Sequence, residues 1–465
     1  MECPGVFCCT ADEDPGFNTN PHNRTTPRHE TRRALCVTSL RSLETEVYKY
    51  KRSMPGLTAS AKATVVEKTR PTTVGEPGAA VSSVELLQRR STLATPRAVI
   101  GFASALLLLL LAHAAPKAQA QAPASSSATT IETGEINKAP FRIEIPANWN
   151  KGLVMYAHGY QPAGTSVSFD ANAAALMRAQ FLSRGFAIAQ SAYRVQGWAV
   201  KEALEDTEAL RRYFSEKHGT PAETYITGHS MGGHITIATI ERHPEAYNGA
   251  MPMCGPLGPA LDFFGNGVFD MLVTFEALFP GSIGSPYEPG LANAGKAKAA
   301  MAADPQRALR YAHHFDRSVE DLPNVLAFFQ LIMAELKQRA GGEPFDNQNR
   351  IYTGFGDDVA LNRTVKRYTA HPAARDYVKQ YATPTGRISD PVLALHTTSD
   401  PLVLASDVTA YEVPAILAGT SDRFVARYVE ANGHCSFPPA TMGNAFDALR
   451  AWAKGGSRPA GGEQK

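Results

Sequence analysis

Short, nearly unbroken apolar runs recur along the second two-thirds of the chain. Gly152–Ala157, Thr224–Thr227, Ala250–Met253 and Pro391–His396 are four to six residues long and rich in aliphatic, β-branched or aromatic side chains. That pattern predicts strands buried on both faces, as in a mostly parallel sheet. Phe424–Val429 alternates more and predicts a further strand. Helical spacing appears at His234–His243, which Pro244 stops, and at Leu261–Leu278 and Leu322–Arg339, where apolar residues return every three or four positions. Strands alternating with helices predict an α/β fold.

One apolar run is of another kind. Arg89, Arg90 and Arg97 precede the stretch Ala98–Ala112, which holds six consecutive leucines, Leu106–Leu111. Ala118-Gln119-Ala120 and a flexible Ala/Pro/Ser segment follow. Positive, apolar, small is the order of a secretory signal peptide, so residues 86–120 are assigned as one and the mature chain is expected to begin near Gln121. The run is short for a membrane span. Export, to a periplasm or the exterior, is therefore expected, with no stable span after cleavage. Residues 1–85 are rich in Thr, Arg, Pro and Ser and lack periodicity, which predicts either disorder or a start codon assigned too far upstream.

Composition narrows the functional classes. The 465 residues are 44% apolar, enough for a substantial core. Lys and Arg total 46 against 44 for Asp and Glu, so no charge excess points to nucleic acid. No HExxH or paired-cysteine cluster appears, and no metal or cofactor is expected. Calcium at Asp357-Asp358 is an alternative to ordinary solvated surface there.

The chemistry concentrates at Gly228-His229-Ser230-Met231-Gly232-Gly233, which lies directly between the strand Thr224–Thr227 and the helix His234–His243. A strand, a sharp turn and a helix form the context in which G-x-S-x-G is a nucleophile elbow. Ser230 is then the nucleophile, and Gly228 and Gly232 are the neighbours that must lack side chains. The elbow also sets Ser230 at a helix N-terminus, where backbone N–H groups favour an oxyanion.

These residues, with His158-Gly159-Tyr160 upstream, resemble the α/β-hydrolase superfamily, especially its secreted esterases and lipases, over about residues 140–455. The resemblance implies a mostly parallel sheet flanked by helices. It also implies an oxyanion hole made by the backbone N–H groups of Tyr160 and Met231, with His158 supporting the loop. The chain order it implies is Ser, acid, His. Asp400 follows the strand Pro391–His396 and fits the acid; Asp407 and Asp422 are the alternatives, and Asp390 precedes that strand. His434 is the one histidine of thirteen beyond Asp400, so it is expected to be the base, with a surface-loop histidine as the alternative. His218, His229, His234, His243, His313, His314, His371 and His396 are then packing or surface residues.

About 130 residues separate the strand ending at Met253 from the one at Pro391, far more than one crossover needs. Residues 257–388 are accordingly expected to form a mainly helical cap over the serine. The hydrolase core is split into 121–256 and 389–456, and 457–465 is a flexible tail. Dense phenylalanines in the insertion (Phe263, Phe264, Phe269, Phe275, Phe279, Phe328 and Phe329) mostly form its own core, with a few facing an apolar acyl or aromatic site. The cap departs from the capless polyester and cutin hydrolases that share similar Tyr160 and Met231 positions.

Cys254 and Cys435 are the only cysteines of the expected mature chain and should lie at one edge of the sheet. Either a disulfide between them or two buried free thiols is expected there, since the sequence does not give their separation. The functional expectation is hydrolysis of a small-molecule or polymeric carboxylic ester through an acyl-enzyme. Peptidase, amidase or acyltransferase chemistry with the same triad, and a catalytically dead binding protein, are the alternatives.

Overall fold

The computed structural model describes residues 128–166, 169 and 172–464. The expected signal segment and everything before it lie outside the described residues.

Nine strands form one sheet in the order β1-β2-β4-β3-β5-β6-β7-β8-β9. They are β1 (Thr130–Ile136), β2 (Ala139–Ile145), β3 (Gly152–Ala157), β4 (Ala187–Ser191), β5 (Glu223–His229), β6 (Gly249–Met253), β7 (Val392–Ser399), β8 (Phe424–Asn432) and β9 (Gly462–Gln464). Only β2 runs against the rest. This mostly parallel sheet, flanked by helices, is the α/β-hydrolase architecture. Asn137 and Lys138, both at positive φ, make the two-residue turn that joins β1 to β2.

The alternation within each central strand explains why both faces are covered. Leu153 and Met155 of β3 pack with Leu210 and Phe214 of α2 (Val200–His218) and with Ile237 and Ile240 of α3 (Met231–Arg242). Their neighbours Val154 and Tyr156 face the other way, onto Phe181 of α1 (Asn172–Leu182) and Phe446 of the C-terminal helix, Pro439–Ala453. A strand buried on both faces can be apolar throughout, and all six residues of β3 are buried.

Between β6 and β7 the chain makes a helical insertion: α4 (Asp270–Leu278), α5 (Asn293–Ala303), α6 (Pro305–His314), α7 (Leu322–Ala340), α8 (Asp358–Thr364) and α9 (Pro372–Ala382). Its core holds Phe263, Phe264, Phe269, Phe275 and Phe329, and continues onto Ala157, Trp198 and Met231 beside the elbow. α7 ends one residue later than the apolar spacing predicts, where Gly341 at φ 73° stops it.

The single helix expected over Leu261–Leu278 is two. Leu261–Phe269 is a π-helix, and ordinary α-helix begins at Asp270, whose N–H reaches back to the Gly265 carbonyl. Phe263 and Val268, and Phe264 and Phe269, stand five residues apart and are all buried. That spacing fits the wider π turn. The C-terminal residues, expected to be a loose tail, also differ: Gly462–Gln464 pairs with Arg427–Val429 and covers the outer edge of β8. Arg427 and Arg458 anchor the segment through the carbonyls of Ala460 and Phe424. No described helix is long and apolar enough to cross a membrane.

Candidate active site

β5 leads straight into α3 with Ser230 between them at φ 58° and ψ −124°. A side chain in this left-handed region is strained, and the surroundings hold it there. The Ser230 N–H donates to the Met253 carbonyl at 2.9 Å, and its own carbonyl accepts from Gly233 at 2.8 Å. The flanking glycines are required by close backbone approach. A Cβ on Gly232 would stand 2.0 Å from the Ala157 carbonyl oxygen, and one on Gly228 2.4 Å from the same atom. The elbow is thus pressed against the end of β3, where His158-Gly159-Tyr160 begins.

His434 follows β8 in a turn that Gly433 opens at φ 111°. The Gly433 N–H donates to the Ser399 carbonyl at 2.8 Å, and Thr397 donates to the Gly433 carbonyl at 3.1 Å, so the turn hangs on the end of β7. Its imidazole lies between two partners: Nε2 is 2.8 Å from Ser230 Oγ and Nδ1 is 2.8 Å from Asp400 Oδ2. These partners assign the tautomer, with Nδ1–H donating to the carboxylate and Nε2 accepting from the serine hydroxyl.

Asp400 follows β7, its carboxylate fully buried. Its other oxygen accepts from the N–H groups of Leu402 at 2.8 Å and Val403 at 3.0 Å. Burial raises the carboxyl pKa, but the His434 hydrogen bond and these two N–H groups outweigh it and leave it below the ordinary value. Asp400 therefore stays ionised, as an imidazole-orienting group must. Asp400 is the carboxylate that meets the imidazole, and the alternatives have other surroundings. Asp407 accepts from the Leu404 N–H, and burial pushes its pKa up to about 6; Asp422 lies in the turn before β8; Asp390 precedes β7.

The backbone N–H groups of Tyr160 and Met231 take part in no turn or loop hydrogen bond among the described residues. That of Met231 is the first of α3, where helix geometry supplies no partner. The Tyr160 side chain turns toward the insertion: its hydroxyl donates to Glu335 at 2.8 Å, and its ring meets the edge of Phe328. His158 is buried, bonded to the Gly159 carbonyl and stacked on Tyr193. His229 accepts from the Tyr156 hydroxyl, and His396 donates to the Val403 carbonyl at 2.9 Å. Burial lowers the pKa of His158 to about 4, of His229 to about 3, and that of His396 as well.

Cys254, directly after β6, and Cys435, next to His434, are joined by a disulfide with Cα atoms 5.4 Å apart. Two contacts between the insertion and the site were not legible in the sequence. One is Glu335; the other is Arg317, which donates to the carbonyl of Pro401 at 2.7 Å in the loop that carries Asp400. Glu335 is the sole carboxylate in the run Leu322–Arg339, a faint signal at best. Asp357 and Asp358 cap α8 and the loop before it through backbone N–H groups. Among the described residues no group of three or more His, Cys, Asp and Glu side chains could hold a metal ion.

Residues 207–352 match the model of a family described as "Putative esterase". No curated protein sequence matches the chain. Solved structures with a similar fold include Est1E from Butyrivibrio proteoclasticus, 10% identical, covering 70% of this chain and 99% of that one at a TM-score of 0.36. The Pyrococcus furiosus esterase Pf2001 is 14% identical, covering 69% and 93% at a TM-score of 0.38.

Proposed function

We propose that this chain is an esterase-like α/β-hydrolase that cleaves a carboxylic ester through an acyl-enzyme formed on Ser230. The observation that carries the proposal is the line of two 2.8 Å contacts joining Ser230, His434 and Asp400. In the first step Ser230 Oγ attacks the ester carbonyl while His434 Nε2 takes its proton. Asp400 holds the imidazole and stabilises the imidazolium. The tetrahedral oxyanion is met by the N–H groups of Tyr160 and Met231. Collapse breaks the C–O bond as His434 returns the proton to the departing alcohol. Water then attacks the acyl-serine with His434 again as base, and the carboxylic acid leaves.

In this reading the 257–388 insertion is the cap, and its apolar core meeting Met231 and Tyr160 favours an apolar acyl or aromatic group. Export is part of the proposal. It is supported by the signal-like order of residues 86–120 and by the suitability of the Cys254–Cys435 disulfide to an oxidising compartment.

A panel of nitrophenyl esters, set beside peptide anilides, tests the chemistry. The parent should turn over esters, and Ser230→Ala should lower kcat on the order of a thousandfold or more without unfolding the protein. Near-parental activity of Ser230→Ala would refute the proposal, whereas cleavage of anilides alone would favour the peptidase alternative. The N-terminal sequence of protein recovered from the producing organism tests export: a mature start near Gln121 is expected, and one before residue 90 excludes it.

A further inference from the structure

We infer that Glu335, on the insertion helix α7, is a positioning residue for the oxyanion hole, holding Tyr160 and the adjoining backbone in register with the elbow. The inference rests on the triad reading above and adds to it.

Glu335 uses both carboxylate oxygens on segments that flank the hole. Oε1 accepts from the Tyr160 hydroxyl at 2.8 Å, and Oε2 accepts from the Trp198 N–H at 2.9 Å. The chain closes the ring, because the Gly197 N–H donates to the carbonyl of Gln161, the residue after Tyr160, at 2.8 Å. Gly197 sits at φ 87°, a conformation that favours glycine, and a Cβ there would stand 2.7 Å from Glu335 Oε2, so the carboxylate lies close against this backbone. Tyr160, Gln161, Gly197, Trp198 and Glu335 thus form one closed hydrogen-bonded ring. The ring passes through the Tyr160 Cα, the atom that carries the N–H of the hole.

Two further contacts from the same helix hold the ring. Phe328, seven residues before Glu335 and so on the same face, sets its ring edge-to-face with Tyr160, the centroids 5.6 Å apart. Arg339, one turn after Glu335, donates to the Gln196 carbonyl and pairs with Glu202 at 3.1 Å. Burial, and then Glu335 as acceptor, raise the Tyr160 phenol far above its ordinary pKa, so it remains the donor. Oxyanion donors act by being fixed before charge develops, and displacement of about 1 Å can cost on the order of a hundredfold in rate. A carboxylate that fixes the donor's own residue therefore acts on kcat. One that merely glued the insertion to the core would act on stability.

The test compares Glu335→Ala, Glu335→Gln, Tyr160→Phe and the double variant Tyr160→Phe/Glu335→Ala. Turnover of a nitrophenyl ester and inhibition by an alkylboronic acid, whose serine adduct places an oxygen toward the hole, are measured for each. Glu335→Ala should lose about tenfold or more in kcat with KM changed by less than about threefold, and boronate affinity should fall in parallel. Glu335→Gln, whose amide oxygen can still accept from Trp198, should recover most of that loss. The double variant should be no slower than Glu335→Ala within about twofold, since both changes break one ring. A kcat within twofold of the parent in Glu335→Ala would overturn the inference, as would a loss confined to KM or to thermal stability with boronate affinity unchanged. Should Glu335→Ala fail to fold, Tyr160→Phe decides: unchanged kcat and boronate affinity would count against the role. Ser230→Ala run alongside separates the two levels. If it is active, the triad reading fails; if it is dead while Glu335→Ala matches the parent, only the role of Glu335 fails.

Discussion

Cys254 and Cys435 both adopt positive φ, 43° and 57°, and the bond between them ties the end of β6 to the residue after His434. The Cys254 N–H donates to the Leu395 carbonyl of β7 at 2.9 Å, so the anchor is itself fixed to the sheet. The His434 turn otherwise hangs on the Ser399 and Thr397 contacts to Gly433 and on the contacts of the imidazole itself.

Reduction should therefore loosen the His434 turn before it unfolds the core. With the cysteines 181 positions apart in sequence, the chain-entropy model gives about 5 kcal/mol of stabilisation, an upper figure for most real bridges. Titration with dithiothreitol, following ester turnover and near-ultraviolet circular dichroism together, should show activity falling at lower reductant than the tertiary signal. Coincident curves would mean the bridge holds the fold rather than the turn, and full activity after complete reduction would mean it holds neither.

Two glycine substitutions should have opposite effects. Gly232→Ala places a Cβ 2.0 Å from a backbone carbonyl of β3 that cannot yield, so the variant should fail to fold or lose its activity. Gly295, exposed in the first turn of α5, would meet nothing within 4 Å. Gly295→Ala should raise stability by about 0.5–1 kcal/mol, because the unfolded chain loses freedom at no steric cost. Urea unfolding of both variants checks the pair, and a stable, active Gly232→Ala protein would contradict the packing of the elbow against β3.

Acid should destabilise the protein earlier than carboxylate protonation alone would. Burial lowers His158 to about 4, His229 to about 3 and His234 to about 4 from an unperturbed 6.5. On unfolding below pH 6.5 each takes up a proton that the folded state refuses, so the unfolded state binds more protons and stability falls as pH falls. Their contribution is complete above about 6.5 and is lost progressively toward pH 4 and below. Asp400, whose pKa is depressed, adds its loss only below the ordinary carboxylate range. Urea midpoints at pH 7.5, 6.0 and 5.0 should decline steadily; a flat profile over that interval would mean these imidazoles are not held neutral.

The order of Ser230, Asp400 and His434 along the chain was legible without the fold. Local pattern sufficed for β3, β5, β6 and β7, because a strand buried on both faces has no polar alternation to confuse it. Gly228, Ser230 and Gly232 were legible because the elbow's backbone approach admits only one arrangement of residue sizes. His434 was legible because chain order left a single histidine beyond Asp400. The π-helix at Leu261–Phe269 and the short β9 were not, since a five-residue spacing looks like irregular α-helix and three residues carry no period.

Distance and partnership belonged to the tertiary structure alone. The sequence by itself determined which residues could serve as nucleophile, acid and base, and that two cysteines stood near them. Whether Cys254 and Cys435 lie within bonding reach depends on how far β6 and the turn after β8 converge across the strand between them, and no local rule measures that. The same holds for Glu335 and Arg317. Their partners are a tyrosine 175 residues away and a carbonyl 84 residues away, brought into contact only because the insertion folds back onto the C-terminal edge of the sheet. Residue type and spacing are properties of the chain, but a hydrogen bond between distant segments is decided by packing, which buries the apolar faces first and leaves polar groups to pair where they meet.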